Sequence, residues 1–213
     1  MLTEAQGRQL LEIARRSVVS YITGGVRYNA ENDADFAKMD DALRQPCGAF
    51  VTLHRMGHLR GCIGLIEGVR PLWQAVEEMA VAAAVEDPRF KPVTPEETGE
   101  LDIEISVLSP LTQIGSLREI EIGRHGLLIR KGRHAGLLLP QVATEHNWEL
   151  EEFLRNTCYK AGINPDAWKK HKKDPEMTIY AFTAQIFKEP FRNQPRSPGV
   201  AGDNAAGLSG IND

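Results

Sequence analysis

This chain of 213 residues has no long apolar run, no paired cysteine motif and no excess of positive charge. No stretch approaches the roughly 20 apolar residues that a helix needs to cross a bilayer. Met1-Leu2-Thr3-Glu4 is not a basic segment leading into an apolar core, so no signal peptide is expected. Only three cysteines occur, at 47, 62 and 158, with no CxxC spacing and no even set for disulfides. These absences predict a reduced, cytosolic protein without a membrane segment. A net charge of -4 argues against a general nucleic-acid binder. The sequence has no HExxH pattern, no close cysteine–histidine grouping and no glycine-rich phosphate loop, so neither a metal nor a bound cofactor is expected.

The 42% apolar and 25% charged residues suit a soluble globular protein large enough for one substantial core. A helix is expected from about Glu4 to Ile22, with Thr3 and Gln6 as a capping box and Gly24-Gly25 at its end. Residues 29–48 read as a loop. Residues 49–65 read as a hairpin, and a second hairpin is expected between Gly126 and Pro140, turning at Lys131-Gly132-Arg133. Pro71 opens a helix that closes at Asp87-Pro88. Thr94 to Glu97 reads as a short capped turn of helix. Leu101 to Leu108 alternates as a half-buried strand, with Asp102, Glu104 and Ser106 on the polar side. Asn147 is expected to cap a helix that runs to Ala161, and Thr178 to Lys188 alternates as one strand. From Pro190 the composition is that of a flexible tail. Hairpins mixed with helices predict an α+β fold with an antiparallel sheet.

The most informative segment is Leu59-Arg60-Gly61-Cys62-Ile63-Gly64. Alternation in a strand puts Arg60 and Cys62 on one face, and a fixed cation beside a thiol favours the reactive thiolate. Keeping apolar and polar residues on separate faces predicts a turn centred on Arg55-Met56 with a bulge at Gly57. Cys62 then lies across from Phe50, and Arg60 across from Thr52. Gly61 and Gly64 let a ligand approach the backbone, or they mark a bulge or a tight bend. Cys62 is the leading nucleophile or redox candidate, the alternative being a small buried residue packed on Phe50. Arg60 is its electrostatic support and Glu104 a candidate acid. Thr52, Ser106, Arg89 and Gln141 complete the candidate ligand-binding set with Gly61 and Gly64. His54 and His58 at the hairpin tip are too far from Cys62 to pair with it. Cys158 reads as core, and Lys169-Lys170-His171-Lys172-Lys173 as a solvated helix end.

These segments resemble the AMME-syndrome candidate-region family, known in prokaryotes as AmmeMemoRadiSam system protein A. Leu59 to Gly64 matches its signature, and so do Phe50-Val51-Thr52-Leu53 and Glu86-Asp87-Pro88-Arg89-Phe90. Glu104 to Pro110, Gly136 to Ala143, Trp148 and Lys160-Ala161-Gly162 continue the match, which spans about residues 8–188. The resemblance implies a larger lobe built from both chain ends and a smaller inserted lobe. Residues 1–188 would then form the folded unit and 189–213 the tail. It also implies a Memo-type protein and a radical SAM enzyme as partners. This chain lacks the CxxxCxxC motif of a radical SAM cluster, so such chemistry belongs to a partner. The resemblance names no reaction. A cysteine-dependent enzyme, a binder of a small molecule or modified residue, and a non-catalytic adaptor all remain open, as does a homodimer through the flat hairpin faces.

Overall fold

The computed structural model describes residues 1–36 and 39–189; the stretch from Pro190 on, which holds nearly all of the expected tail, lies outside the described residues. Helix α1 (Glu4–Gly24) starts where its capping box dictates. Thr3 Oγ1 accepts from the Gln6 N–H, and the Gln6 side chain accepts from the Thr3 N–H. Gly25, at φ 66°, ends the helix in the left-handed region. Two short 3-10 turns and α2 (Asp41–Arg44) follow. Next come the hairpin β1 (Ala49–Arg55) and β2 (His58–Leu65), helix α3 (Leu72–Val85), a 3-10 turn at Pro95–Glu100 and β3 (Leu101–Leu108). The chain continues through β4 (Thr112–Gln113), β5 (Gly126–Lys131), β6 (His134–Leu138), α4 (Pro140–Glu145) and α5 (Leu150–Lys160). It closes with β7 (Met177–Phe182) and β8 (Ala184–Lys188).

The strands form two antiparallel sheets, ordered β2-β1-β3-β8 and β4-β7-β5-β6. With the helices they make an α+β fold, as expected. The chain leaves the first sheet after β3 and returns to it as β8. One face of the first sheet, with Val51, Leu53, Ile103, Ile105 and Phe187, joins Leu10, Ala14 and Val18 of α1 and Leu72, Val76 and Ala83 of α3 in one core. Each large side chain buried there contributes about 1.5–3 kcal/mol over its exposed state. A second core joins Leu127, Ile129, Phe153, Leu154, Cys158 and Ile179. Leu108, Leu139 and Phe182 form a third, smaller cluster, with Phe50 packed against it.

Five local expectations are corrected. The hairpin turns at Met56-Gly57, both at positive φ, and Arg55 pairs with His58. The bulge is in the strand: Leu53 faces Gly61 and His54 faces Leu59, which leaves Arg60 as the extra residue. Cys62 therefore faces Thr52, and Gly64 faces Phe50. Strand β3 is buried on both faces along all eight residues, so its polar side is not solvated. Glu149, not Asn147, caps α5, while Asn147 takes φ 54° after α4. The expected last strand is two strands, because the chain changes sheets at Thr183. There Ser109 N–H donates to the Thr183 carbonyl at 2.9 Å, and Thr183 N–H donates to Ser109 Oγ at 2.9 Å. Glu189, read as the first tail residue, is held by Arg15.

Candidate functional site

Strand register builds the site. Cys62 of β2 faces Thr52 of β1, Thr52 faces Glu104 of β3, and Glu104 faces Lys188 of β8. These four residues form one row across the sheet, on the face away from α1 and α3, with neighbouring strands about 4.8 Å apart. In the adjacent row, Gly64, Phe50, Ser106 and Ile186 align in the same way. The Cys62 N–H points off the sheet edge, so Cys62 and Thr52 are a non-hydrogen-bonded pair, the closer kind. Thr52 Oγ1 donates to Cys62 Sγ at 3.2 Å. Lys188 Nζ pairs with Glu104 Oε2 at 2.8 Å.

Helix α4 covers this face. Gln141 Nε2 donates to Glu104 Oε1 at 3.3 Å and to Ser106 Oγ at 3.4 Å. Gln141 Oε1 is buried without a hydrogen-bond partner among the described residues. Thr52 and Glu104 are 8% and 7% exposed, and Ser106 is fully buried. Burying polar groups is costly unless they are paired, so a cluster of this kind on a sheet face calls for a reason beyond packing.

Cys62 is half-buried. Burial pushes its thiol above the ordinary range; the Thr52 hydrogen bond and the Arg89 charge pull the other way, and Asp87 and Glu104 push it further up. Sulfur is thus held as the neutral thiol at neutral pH.

Arg60 does not stand beside the thiol as expected. Its guanidinium is committed to Glu97, with Nε–Oε1 at 3.0 Å and Nη2–Oε2 at 2.9 Å, and to the carbonyls of Lys91 and Pro92. The Arg60 hydrogen bonds hold the Glu97 carboxyl down at about 2. The bulge explains the change, since it takes Arg60 out of the alternation that would have put it over Cys62. Arg89 is the cation near the sulfur. It donates through Nε and Nη2 to Asp87 at 2.9 and 2.6 Å and through Nη2 to the Cys62 carbonyl at 3.4 Å.

The two signature glycines are explained by close packing. A Cβ on Gly61 would lie 2.0 Å from the Ala83 carbonyl of α3, and one on Gly64 would lie 2.3 Å from the Phe50 ring. Small residues in α3 let it approach the sheet at this point. Of the sequence candidates, Cys62, Thr52, Glu104, Ser106 and Gln141 lie together on or over one face, Arg89 reaches the Cys62 carbonyl from the sheet edge, and Arg60 lies apart. Sequence reasoning missed Lys188 and the role of Asp87. Lys188 continues the even-numbered face of its strand, and Asp87 stands two residues before Arg89; both signals were present.

Elsewhere, a cleft of about 290 Å³ opens between Pro46–Gly48, Ile66–Gly68 and Leu108–Leu111. Cys47 lines it and donates to the Leu108 carbonyl at 3.0 Å. Cys158 is in the second core, and the lysines at 169, 170, 172 and 173 are exposed on the 3-10 turn Ala167–Lys173, as expected. Among the described residues, no group of three or more His, Cys, Asp or Glu side chains is placed to hold a metal ion, and no helix is long and apolar enough to cross a membrane.

Comparison with known proteins places these features in a family. The AMMECR1 family profile matches residues 11–187. A protein of Methanothermobacter thermautotrophicus is 45% identical over 194 residues, covering 88% of this chain and 96% of its own. Protein TK0174 of Thermococcus kodakarensis is 43% identical over 202 residues, covering 90% and 93%. The crystal structure of protein PH0010 from Pyrococcus horikoshii superposes with a TM-score of 0.82 at 39% identity, covering 91% of this chain and 96% of the other. The chain belongs to the AMMECR1 family.

Proposed function

We propose that this member of the AMMECR1 family binds a small polar molecule or a modified residue on the row formed by Cys62, Thr52, Glu104 and Lys188. The observation that carries the reading is the alignment of these four residues in register across four strands, with Thr52 and Glu104 at its centre buried and Gln141 of α4 hydrogen-bonded to Glu104. Charges in the row are already matched, because Glu104 is paired with Lys188. The buried Gln141 Oε1 is an acceptor with no donor among the described residues. A ligand with an N–H or O–H to offer, and with no net charge of its own, suits both facts. Cys62 contributes a neutral sulfur that accepts from Thr52, and a covalent or redox step there requires a change that lowers its pKa. Action beside a Memo-type protein and a radical SAM enzyme, implied by the family resemblance, belongs to the same proposal.

Iodoacetamide, a small uncharged amide with a reactive carbon, is a suitable probe. Mass-spectrometric mapping of the native protein should show Cys62 alkylated before the fully buried Cys158, more slowly at pH 7 than at pH 9. Labelling of Cys62 no faster than Cys158 would overturn the site reading. Rapid labelling at pH 7 would favour the activated nucleophile instead.

A second reading, a non-catalytic adaptor, is favoured by the hairpin tip, where Met56 is 71% and Leu59 40% exposed. In that case Cys62 is packing, and Met56→Ser would weaken partner capture while Cys62→Ser would not.

A further inference from the structure

Strand β2 is at the edge of its sheet, so the outward N–H and C=O groups of Cys62 find no neighbouring strand among the described residues. The segment after α3 covers them with side chains. Asp87, 4% exposed, accepts from the Cys62 N–H at 2.8 Å. Arg89 reaches the Cys62 carbonyl at 3.4 Å and is fastened to Asp87 by Nε and Nη2, while its own backbone N–H donates to Asp87 Oδ1 at 3.1 Å. One acid and one base, two residues apart, thus grip both backbone polar groups of a single residue. The Arg89 side chain remains 49% exposed.

We propose that Asp87 and Arg89 are a positioning pair for Cys62, with Arg89 the cation that supports a negative sulfur and Asp87 the anion that opposes it. The inference rests on the site reading above and concerns how that site is tuned. The charged groups facing the sulfur are Arg89 and Asp87 from the segment after α3 and Glu104 from β3, the last already engaged by Lys188. Arg60, tied to Glu97, has no part in this tuning.

The pair predicts effects of opposite sign, which a merely structural role would not give. The readout is the Cys62 13Cβ chemical shift of the full chain titrated with pH, which does not depend on reagent access. Arg89→Gln should raise the thiol midpoint by about 0.5–1 in pH, and Asp87→Asn should lower it by a similar amount. Arg89→Lys, which keeps the charge, should stay within about 0.3 of the parent. Equal shifts in one direction, or none, would overturn the proposal. If Asp87→Asn does not fold, the contrast between Arg89→Gln and Arg89→Lys decides alone. Failed alkylation of Cys62 with opposite-sign shifts intact would refute the ligand site and leave the pair standing.

Discussion

Replacing Gly61 with alanine should destabilise the protein by about 2–4 kcal/mol, although it adds one methyl group. The added Cβ would lie 2.0 Å from the Ala83 carbonyl oxygen, 3.0 Å from its carbon and 3.7 Å from its Cα, all backbone. Reaching even 3.0 Å requires an opening of about 1 Å, and no side chain can rotate away to provide it. Helix α3 must shift, and it carries Leu72, Val76, Ala80 and Ala83 into the first core. Overpacking a core costs about 1–3 kcal/mol, and a backbone obstacle puts this case at or above the top of that range. That is a large share of the 5–15 kcal/mol typical of a folded domain. Urea unfolding should show a lower midpoint at an unchanged slope. Gly57→Ala, at φ 80° but in open space, should cost about 1 kcal/mol through backbone strain alone. A Gly61→Ala protein as stable as the parent would refute the close-packing account of the signature.

Other consequences are equally open to measurement. The Glu97 carboxyl lies at about 2 in the folded protein against 4.5 in the free group, so its pairing stabilises fully above about pH 4.5 and is lost as pH falls through 2. Glu97→Gln should therefore lose about 1–3 kcal/mol at pH 7 and show a shallower decline between pH 4.5 and 2 in denaturant titrations. Lys188→Met should cost about 1 kcal/mol by leaving the buried Glu104 carboxylate without its ion pair, and adding Glu104→Gln should recover most of the loss. The recovery is checked by a double-mutant cycle.

Much of the fold was legible because its signals are local. The capping box at Thr3 and Gln6 and the glycine at 25 mark α1 within two residues, and Gly132 and Gly162 end their elements where the sequence places them. Hairpin register was less legible, because one extra residue restores the faces whether it sits in the turn or in the strand. Alternation sees only parity. The same limit hid the break at Thr183, since β8 continues the parity of β7. Asp102, Glu104 and Ser106 alternate as a solvated face would; what buries Glu104 and Ser106 comes from Gln141, 37 and 35 residues away. Arg60 finds Glu97 at a separation of 37 residues, a pairing that strand geometry near Cys62 gave no reason to expect.

The ionisation state of Cys62 at neutral pH tests the central claim most directly. A titration of thiolate absorbance near 240 nm, taken as the difference between the parent protein and Cys62→Ser, isolates this one sulfur. The account predicts a midpoint above the 9.0 of a free thiol, as burial and two facing carboxylates require. A midpoint below about 8 would mean that the site activates its cysteine, and would contradict the reading of Cys62 as a neutral member of a polar binding row.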